Sequence, residues 1–258
     1  MKQGDFSNLA ENYAKYRSGY SDVVARALYA YVDAGRPGFS VADVGAGTGI
    51  WSKMMLEADL ECVCVEPNDA MREEGIKHTE AFSPQWREGS GEETGLADGS
   101  VDWVTMASSF HWVKAEEGLK EFRRILKPGG HFTALWNPRN IEGNEFHEGI
   151  ESMIYDMVPE LERKSSGARK HVADMDTLLK STGDFIDPLF MEASHAVLMS
   201  PERYLGAWRS VNDIQSQAGP ERFEKIMAAI EARVAHLDQV SVPYLTRAWT
   251  ATAAASGV

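Results

Sequence analysis

A glycine-rich run, Gly45-Ala46-Gly47-Thr48-Gly49, follows the apolar stretch Val41 to Val44, which carries an acid at Asp43. Glycines at such a place let the backbone turn sharply and approach a bound group with no Cβ in the way. A helix starting just beyond them points its free N–H groups at the same spot. A second acid, Glu66, ends the next apolar run. It lies about 20 residues on, where a carboxylate can accept both hydroxyls of a ribose. Together these residues specify a site for an adenosine-type ligand at the carboxyl ends of strands. The dinucleotide fingerprint G-x-G-x-x-G would need glycine at position 50. Ile50 stands there instead, so the pattern is G-x-G-x-G.

Further chemistry-bearing residues cluster after later apolar runs. His111 follows the run Val101 to Ala107, where a general base would be useful; the bland alternative is that Phe110-His111-Trp112 is a packing turn. Trp136 reads as a pocket edge and Trp112 as core. Asn137 and Arg139 come next, placed for polar contacts to a substrate. Trp208, followed by Arg209, would suit an acceptor with a ring or a carboxylate, although packing is the preferred reading. No Cys/His cluster has metal-ligand spacing, and no metal is expected.

The elements that must position these residues alternate between 40 and 137. Val41 to Val44 reads as a buried strand, Ile50 to Ala58 as a helix and Leu60 to Val65 as a second strand. Asn68 to Ile76 reads as a helix with Asn68 or Asp69 as its cap, followed by a short strand at Gln85 to Arg87. Val101 to Ala107 is a strand, and Lys114 to Lys127 a helix stopped by Pro128-Gly129-Gly130. His131 to Trp136 is the next strand. Strands alternating with helices imply βαβ units and a parallel sheet. Beyond Asn137 the periodicity predicts helices near Asn144 to Met157 and Asp174 to Ser181, and a strand Leu189 to Ala196 after a break at Pro188. An amphipathic stretch from Glu221 to Leu237 and a last strand from Tyr244 to Thr252 complete it.

Composition bounds the partners. The chain has 258 residues, 43% hydrophobic and 25% charged, which is ordinary for a globular protein. Its 26 Lys plus Arg against 39 Asp plus Glu leave a net charge of −13, which opposes a broad grip on nucleic acid. Cys62 and Cys64, the two cysteines, lie one residue apart and cannot staple distant segments. The start Met1-Lys2-Gln3-Gly4-Asp5 has no apolar leader, and no run approaches the ~18 apolar residues of a membrane span. A cytoplasmic protein without a membrane partner is expected.

At this point the chain resembles the class I S-adenosylmethionine-dependent methyltransferases, within the broad methyltransferase type 11 group. The resemblance rests on Val41 to Gly49, Val63-Cys64-Val65-Glu66-Pro67, Gly95 to Asp102, Ser109-Phe110-His111-Trp112 and Phe122 to Gly130. Tyr13-Ala14-Lys15-Tyr16-Arg17 is similar to the segment that covers the cofactor in this group. The resemblance implies an α/β fold: a Rossmann-like, mostly parallel seven-stranded sheet with helices on both faces and helical cap insertions. It implies one domain, with a lid segment over 1–39, a cofactor-binding core over 40–137, and cap insertions plus last strands over 138–258. Gly45, Ala46 and Gly47 would pass around the methionine part of S-adenosylmethionine, with Asp43 and Gly49 also among the cofactor-binding residues. Glu66 would hold the ribose, with Pro67, Asn68 and Ser90-Gly91-Glu92 at the adenosine. Ser108 or Ser109 would lie near the sulfonium, and Tyr16 and Arg17 would close over the amino-acid end. The activity implied is methyl transfer to a small-molecule acceptor. An NAD-dependent oxidoreductase and a non-catalytic cofactor-binding protein are the alternatives.

Overall fold

The computed structural model describes residues 10–163 and 174–255, so residues 164–173 of the expected insertion and residues 1–9 of the expected lid segment lie outside it. Among the described residues, seven strands form one sheet in the order β3-β2-β1-β4-β5-β7-β6. They are β1 (Ser40–Val44), β2 (Glu61–Val65), β3 (Gln85–Arg87), β4 (Val101–Ala107), β5 (Leu126–Trp136), β6 (Phe185–Met199) and β7 (Val240–Ala253). The first five pair in parallel, whereas β7 runs antiparallel to both β5 and β6. No helix among the described residues is long and apolar enough to cross a membrane.

Side chains alternate across the central strands, and each face is covered by helices. Val41 and Trp103 point to a cluster built by α2 (Asp22–Tyr31) and α3 (Ile50–Glu57), where Leu28, Trp51 and Met55 are fully covered. Ala42, Val44 and Val104 point the other way. There they meet Leu119, Phe122 and Ile125 of α5 (Ala115–Ile125) and Leu179 of α7 (Met175–Lys180). Strands buried on both faces read as near-continuous apolar runs, as β1 and β4 do. A third cluster joins α6 (Glu145–Met157), α8 (Pro201–Arg209) and α9 (Asn212–Val234) to Met199, Val240 and Val242 at the far ends of β6 and β7. These two strands therefore run on beyond the sheet as a ribbon that carries the cap.

Several boundaries differ from the sequence expectations for identifiable reasons. Pro188 does not end a strand; β6 continues through it with a register shift between Ile186 and Leu189, and Asp187 takes a φ of 51°. Because β6 lies at the sheet edge, a proline without an N–H is tolerated at such a bulge. The helix after β4 stops at Ile125, and β5 starts at once, with residues 127–130 bulging between the pairs Val101–Leu126 and Trp103–His131. The amphipathic stretch begins earlier, at Asn212, and is broken at Gly219 (φ 71°) before Pro220. Residues 10–39 hold α1 (Ala10–Tyr16) as well as α2, so the expected lid segment also contributes to the core.

At the amino end of the sheet, Asp102 clamps three neighbouring strands. It accepts from the Ser40 amide at 2.9 Å, from Lys127 at 2.7 Å and from Arg36 at 2.6 Å. Burial works against its charge, but these hydrogen bonds outweigh it and hold the carboxyl down to about 2. A depressed carboxyl contributes stability above its unfolded value near 4, and loses it as the pH falls through 2. Asp102→Asn is expected to destabilise the fold at neutral pH by on the order of 2 kcal/mol. Urea unfolding should show that difference shrinking between about pH 4 and pH 2.

Candidate active site

The carboxyl ends of β1, β2 and β4 open into a cavity of about 560 Å³, within the size range of small-molecule sites. Gly45, Ala46 and Gly47 form one wall. Gly45 has a φ of 65°, and a Cβ there would sit 2.8 Å from Ser109 Cβ, so the close approach of this loop to β4 requires glycine. The Ala46 amide donates to the Val65 carbonyl, which fixes the loop against β2. Gly49, at φ 73°, precedes α3; its neighbours Thr48 and Ile50 line the cavity.

Glu66 is the acid of the site and is only 7% exposed. Its Oε2 accepts from the Gly47 amide at 2.8 Å, and its Oε1 from the Asn68 amide at 2.9 Å. Asn68 in turn caps α4 (Asp69–His78) by accepting from the Met71 amide. Burial pushes the Glu66 carboxyl above its ordinary range, against the pull of the two amides. A carboxylate has about four lone-pair directions. Two are spent on amides, which leaves the others for a group in the cavity that Glu66 lines.

Pro67, Asn68, Ser90, Gly91 and Glu92 continue the same wall. Ser90 Oγ accepts from the amides of Glu92 and Glu93, and Glu92 accepts from the Lys114 amide. This turn packs against Val113, whose side chain lies 2.4 Å from where a Cβ on Gly91 would be. Ser108 and Ser109 close the end of β4. Ser108 has a φ of 57°, an uncommon backbone state for a residue with a side chain, and its Oγ lies 2.9 Å from the Tyr20 hydroxyl. Ser109 donates to the Val44 carbonyl.

Other expected site residues are placed elsewhere. Asp43 lies under the loop, outside the lining, and accepts from Ser52 at 2.5 Å and Thr105 at 3.0 Å. Tyr16 turns onto α8, with its ring against Gly206 and its hydroxyl on Glu202, so of the expected pair only Arg17 reaches the cavity. Trp136 is in the core, edge-on to Trp249, and is not a pocket edge. Its indole N–H donates to His111 Nδ1 at 3.3 Å. This spends that nitrogen's lone pair, and His111 lies outside the cavity lining. Arg139 is stacked 3.9 Å over Trp208, which is itself 2% exposed in the cap cluster, so neither lines the cavity. Asn137 does line it.

Five of the lining residues missed from the sequence are aromatic. Trp112 is 55% exposed on the cavity wall instead of in the core, because Phe110 takes the core position of that short 3-10 turn. Tyr13, Tyr20 and Trp51 also line the cavity, as does Tyr244, which stacks on His195. Tyr13 lies three residues before Tyr16 on α1, and only a known helix phase would have separated their roles.

A glycine loop after β1, faced by an acid at the end of β2 on this sheet order, defines a class I methyltransferase fold. Residues 42–134, just over a third of the chain, match the family model described as a methyltransferase domain. An uncharacterized methyltransferase of Mycobacterium tuberculosis is 37% identical over 102 residues, covering 39% of this chain and 40% of the relative. A ubiquinone/menaquinone biosynthesis C-methyltransferase of Rubrivivax gelatinosus is 34% identical over 99 residues, covering 38% and 39%. The match thus spans about two fifths of the length of these curated relatives. Among solved structures, a proposed type II methyltransferase from Anaeromyxobacter dehalogenans aligns with a TM-score of 0.56 at 20% identity, over 92% of this chain and 97% of that one. Phosphoethanolamine N-methyltransferase 2 of Haemonchus contortus, solved with S-adenosyl-L-methionine, gives 0.54 at 13% identity over 96% and 57%. These two structural likenesses concern the fold.

Asp43 has a testable consequence. Burial pushes its carboxyl up to about 7, against the hydrogen bonds from Ser52 and Thr105. With a folded value raised above the unfolded one near 4, stability is fully present below pH 4 and is lost as the pH rises through 7. Asp43→Asn removes that titration. The variant should therefore gain stability relative to the parent between pH 4 and pH 8, as measured by chemical denaturation.

Proposed function

We propose that the protein transfers a methyl group from S-adenosylmethionine to a small-molecule acceptor by in-line displacement. The observation that carries this reading is the Glu66 carboxylate, pinned by two amides beside the Gly45–Gly47 loop and still open to the cavity. The family-model match over residues 42–134 and the methyltransferase relatives support it.

The residues present fit such a donor. Thr48 Oγ1 and Ser18 Oγ are buried, have no hydrogen-bond partner among the described residues, and belong to residues lining the cavity, so a polar ligand would satisfy them. Glu66 would hold the ribose hydroxyls, and Pro67, Asn68 and Ser90 to Glu92 would border the adenosine. The Gly45–Gly47 loop and Arg17 would take the amino-acid end, with Ser108 and Ser109 near the sulfur. When bound, the donor supplies a methyl group already activated by a sulfonium. The chain's work is alignment and exclusion of water, worth as much as ~7–11 kcal/mol when orientation is ideal. Tyr13, Trp112, Asn137 and Tyr244 remain to enclose a small acceptor. His111 need not act as a base in this scheme.

Calorimetry with S-adenosylhomocysteine and, separately, NADH tests the reading; binding of NADH alone overturns it. Glu66→Ala should weaken S-adenosylhomocysteine binding by about 1.5–3 kcal/mol for each hydrogen bond lost. His111→Ala should lower methyl-transfer turnover by less than about tenfold, since a working general base contributes roughly 100-fold or more.

A further inference from the structure

Tyr20 enters the cavity from the connection between α1 and α2, and the peptide groups on both sides of it are held by one side-chain relay. The Ser21 amide donates to Thr246 Oγ1 at 2.8 Å. Thr246 Oγ1 donates in turn to Asn137 Oδ1 at 2.7 Å. Asn137 Nδ2 then donates to the Gly19 carbonyl at 2.9 Å. The relay starts one residue after Tyr20 and ends one residue before it. Its two side chains come from β7 and from the end of β5, and Thr246 is fully buried.

This arrangement changes what Asn137 can do. Its carbonyl oxygen and one amide hydrogen are engaged with the chain's own groups. With the backbone fixed on either side, the Tyr20 hydroxyl is aimed at Ser108 Oγ, and its ring packs edge-on to Trp51 at 5.4 Å between centroids. Arg17, three residues earlier, is held separately by Ser210, which accepts from its Nε at 2.7 Å. Residues 17–21 thus form a roof, anchored at one end to the cap and at the other to the sheet.

We propose that Asn137 and Thr246 are positioning residues that latch this roof through Gly19 and Ser21, and that the latch sets how long the donor product stays bound. The proposal rests on the methyltransferase reading for the identity of that ligand, but the latch itself belongs to the ligand-free chain. Removing the relay leaves Tyr20 free to swing from the cavity, with Arg17 still held by Ser210, and does not alter Glu66 or the glycine loop. Thr246→Val keeps the shape and loses the hydroxyl; Thr246→Ser keeps the hydroxyl.

Two measurements on the full chain test it. Hydrogen–deuterium exchange without ligand should show a peptide covering residues 18–24 exchanging at least tenfold faster in Thr246→Val and Asn137→Ala, and at the parent rate in Thr246→Ser. Stopped-flow displacement of S-adenosylhomocysteine should show dissociation about tenfold faster in the first two variants and restored in Thr246→Ser. A merely structural threonine would lower the thermal midpoint without this split between variants. Unchanged exchange in both Thr246→Val and Asn137→Ala overturns the latch. Faster exchange with unchanged dissociation overturns its control of residence. If the parent binds no S-adenosylhomocysteine, the donor assignment and the residence claim both fail, while the exchange result still decides whether the relay holds the roof.

Discussion

The site depends on one buried carboxylate holding two backbone amides from different segments. Glu66 joins the Gly47 amide of the loop after β1 to the Asn68 amide at the start of α4. Each amide, if orphaned away from water, would cost about 1–3 kcal/mol. The burial that raises the Glu66 carboxyl is the opposing cost, and the amides offset it in part. The positive end of α4 adds to the same balance, since an anion at a helix N-terminus is favoured. The loop and the acid are therefore coupled: Glu66 holds the Gly47 amide, while the Ala46 amide ties the same loop to Val65. A ligand that gives hydrogens to the remaining lone pairs would complete a partly desolvated anion, which is a stronger grip than the same contact in water.

Two aspartates at opposite ends of the sheet make that unit rigid by different electrostatics. Asp102 at the amino end is charged, surrounded by Lys127, Arg36 and the Ser40 amide, and fixes where β1, β4 and β5 begin. Asp43 near the carboxyl end is held by the hydroxyls of Ser52 and Thr105 and by the Ser52 backbone, and burial raises its carboxyl. It links α3 and β4 beneath the glycine loop, and its charge is reduced by that burial. A full negative charge there would add to that of Glu66, whose coulombic influence on Asp43 is unfavourable.

What was legible in the sequence follows the range of the interactions. The central strands β1, β2 and β4, the helix after each of them and the glycine loop were legible, because apolar period and turn chemistry are local signals. The α2 face of Val24, Ala25 and Leu28 carried the same kind of signal, but it was absorbed into a lid expectation. Trp136 and Arg139 lie away from their expected places because strand ends and cap residues can face either the core or the cavity, whereas Trp208 packs in the cap as its preferred reading has it. That choice is made by partners far along the chain: Trp249 for Trp136, and Trp208 for Arg139. Trp112 and Phe110 share one short turn, and only tertiary packing decides which of them is covered.

The roof shows why the donor end of such a site is readable and the rest is not. The contacts that build the floor are short in sequence, 19 residues for Gly47 to Glu66 and 9 for Ser52 to Asp43. Those that build the roof span 225 residues for Ser21 to Thr246, 193 for Arg17 to Ser210 and 118 for Asn137 to Gly19. Closing longer loops costs more entropy, though only slowly with length. The greater difference is in number: the floor is backed by a doubly covered sheet, whereas the roof hangs on a few side-chain hydrogen bonds, each worth about 1 kcal/mol net. Local opening draws on the segments with the fewest buried contacts. A floor that stays folded under a roof that can detach lets a ligand enter a preformed pocket without unfolding the sheet that shapes it.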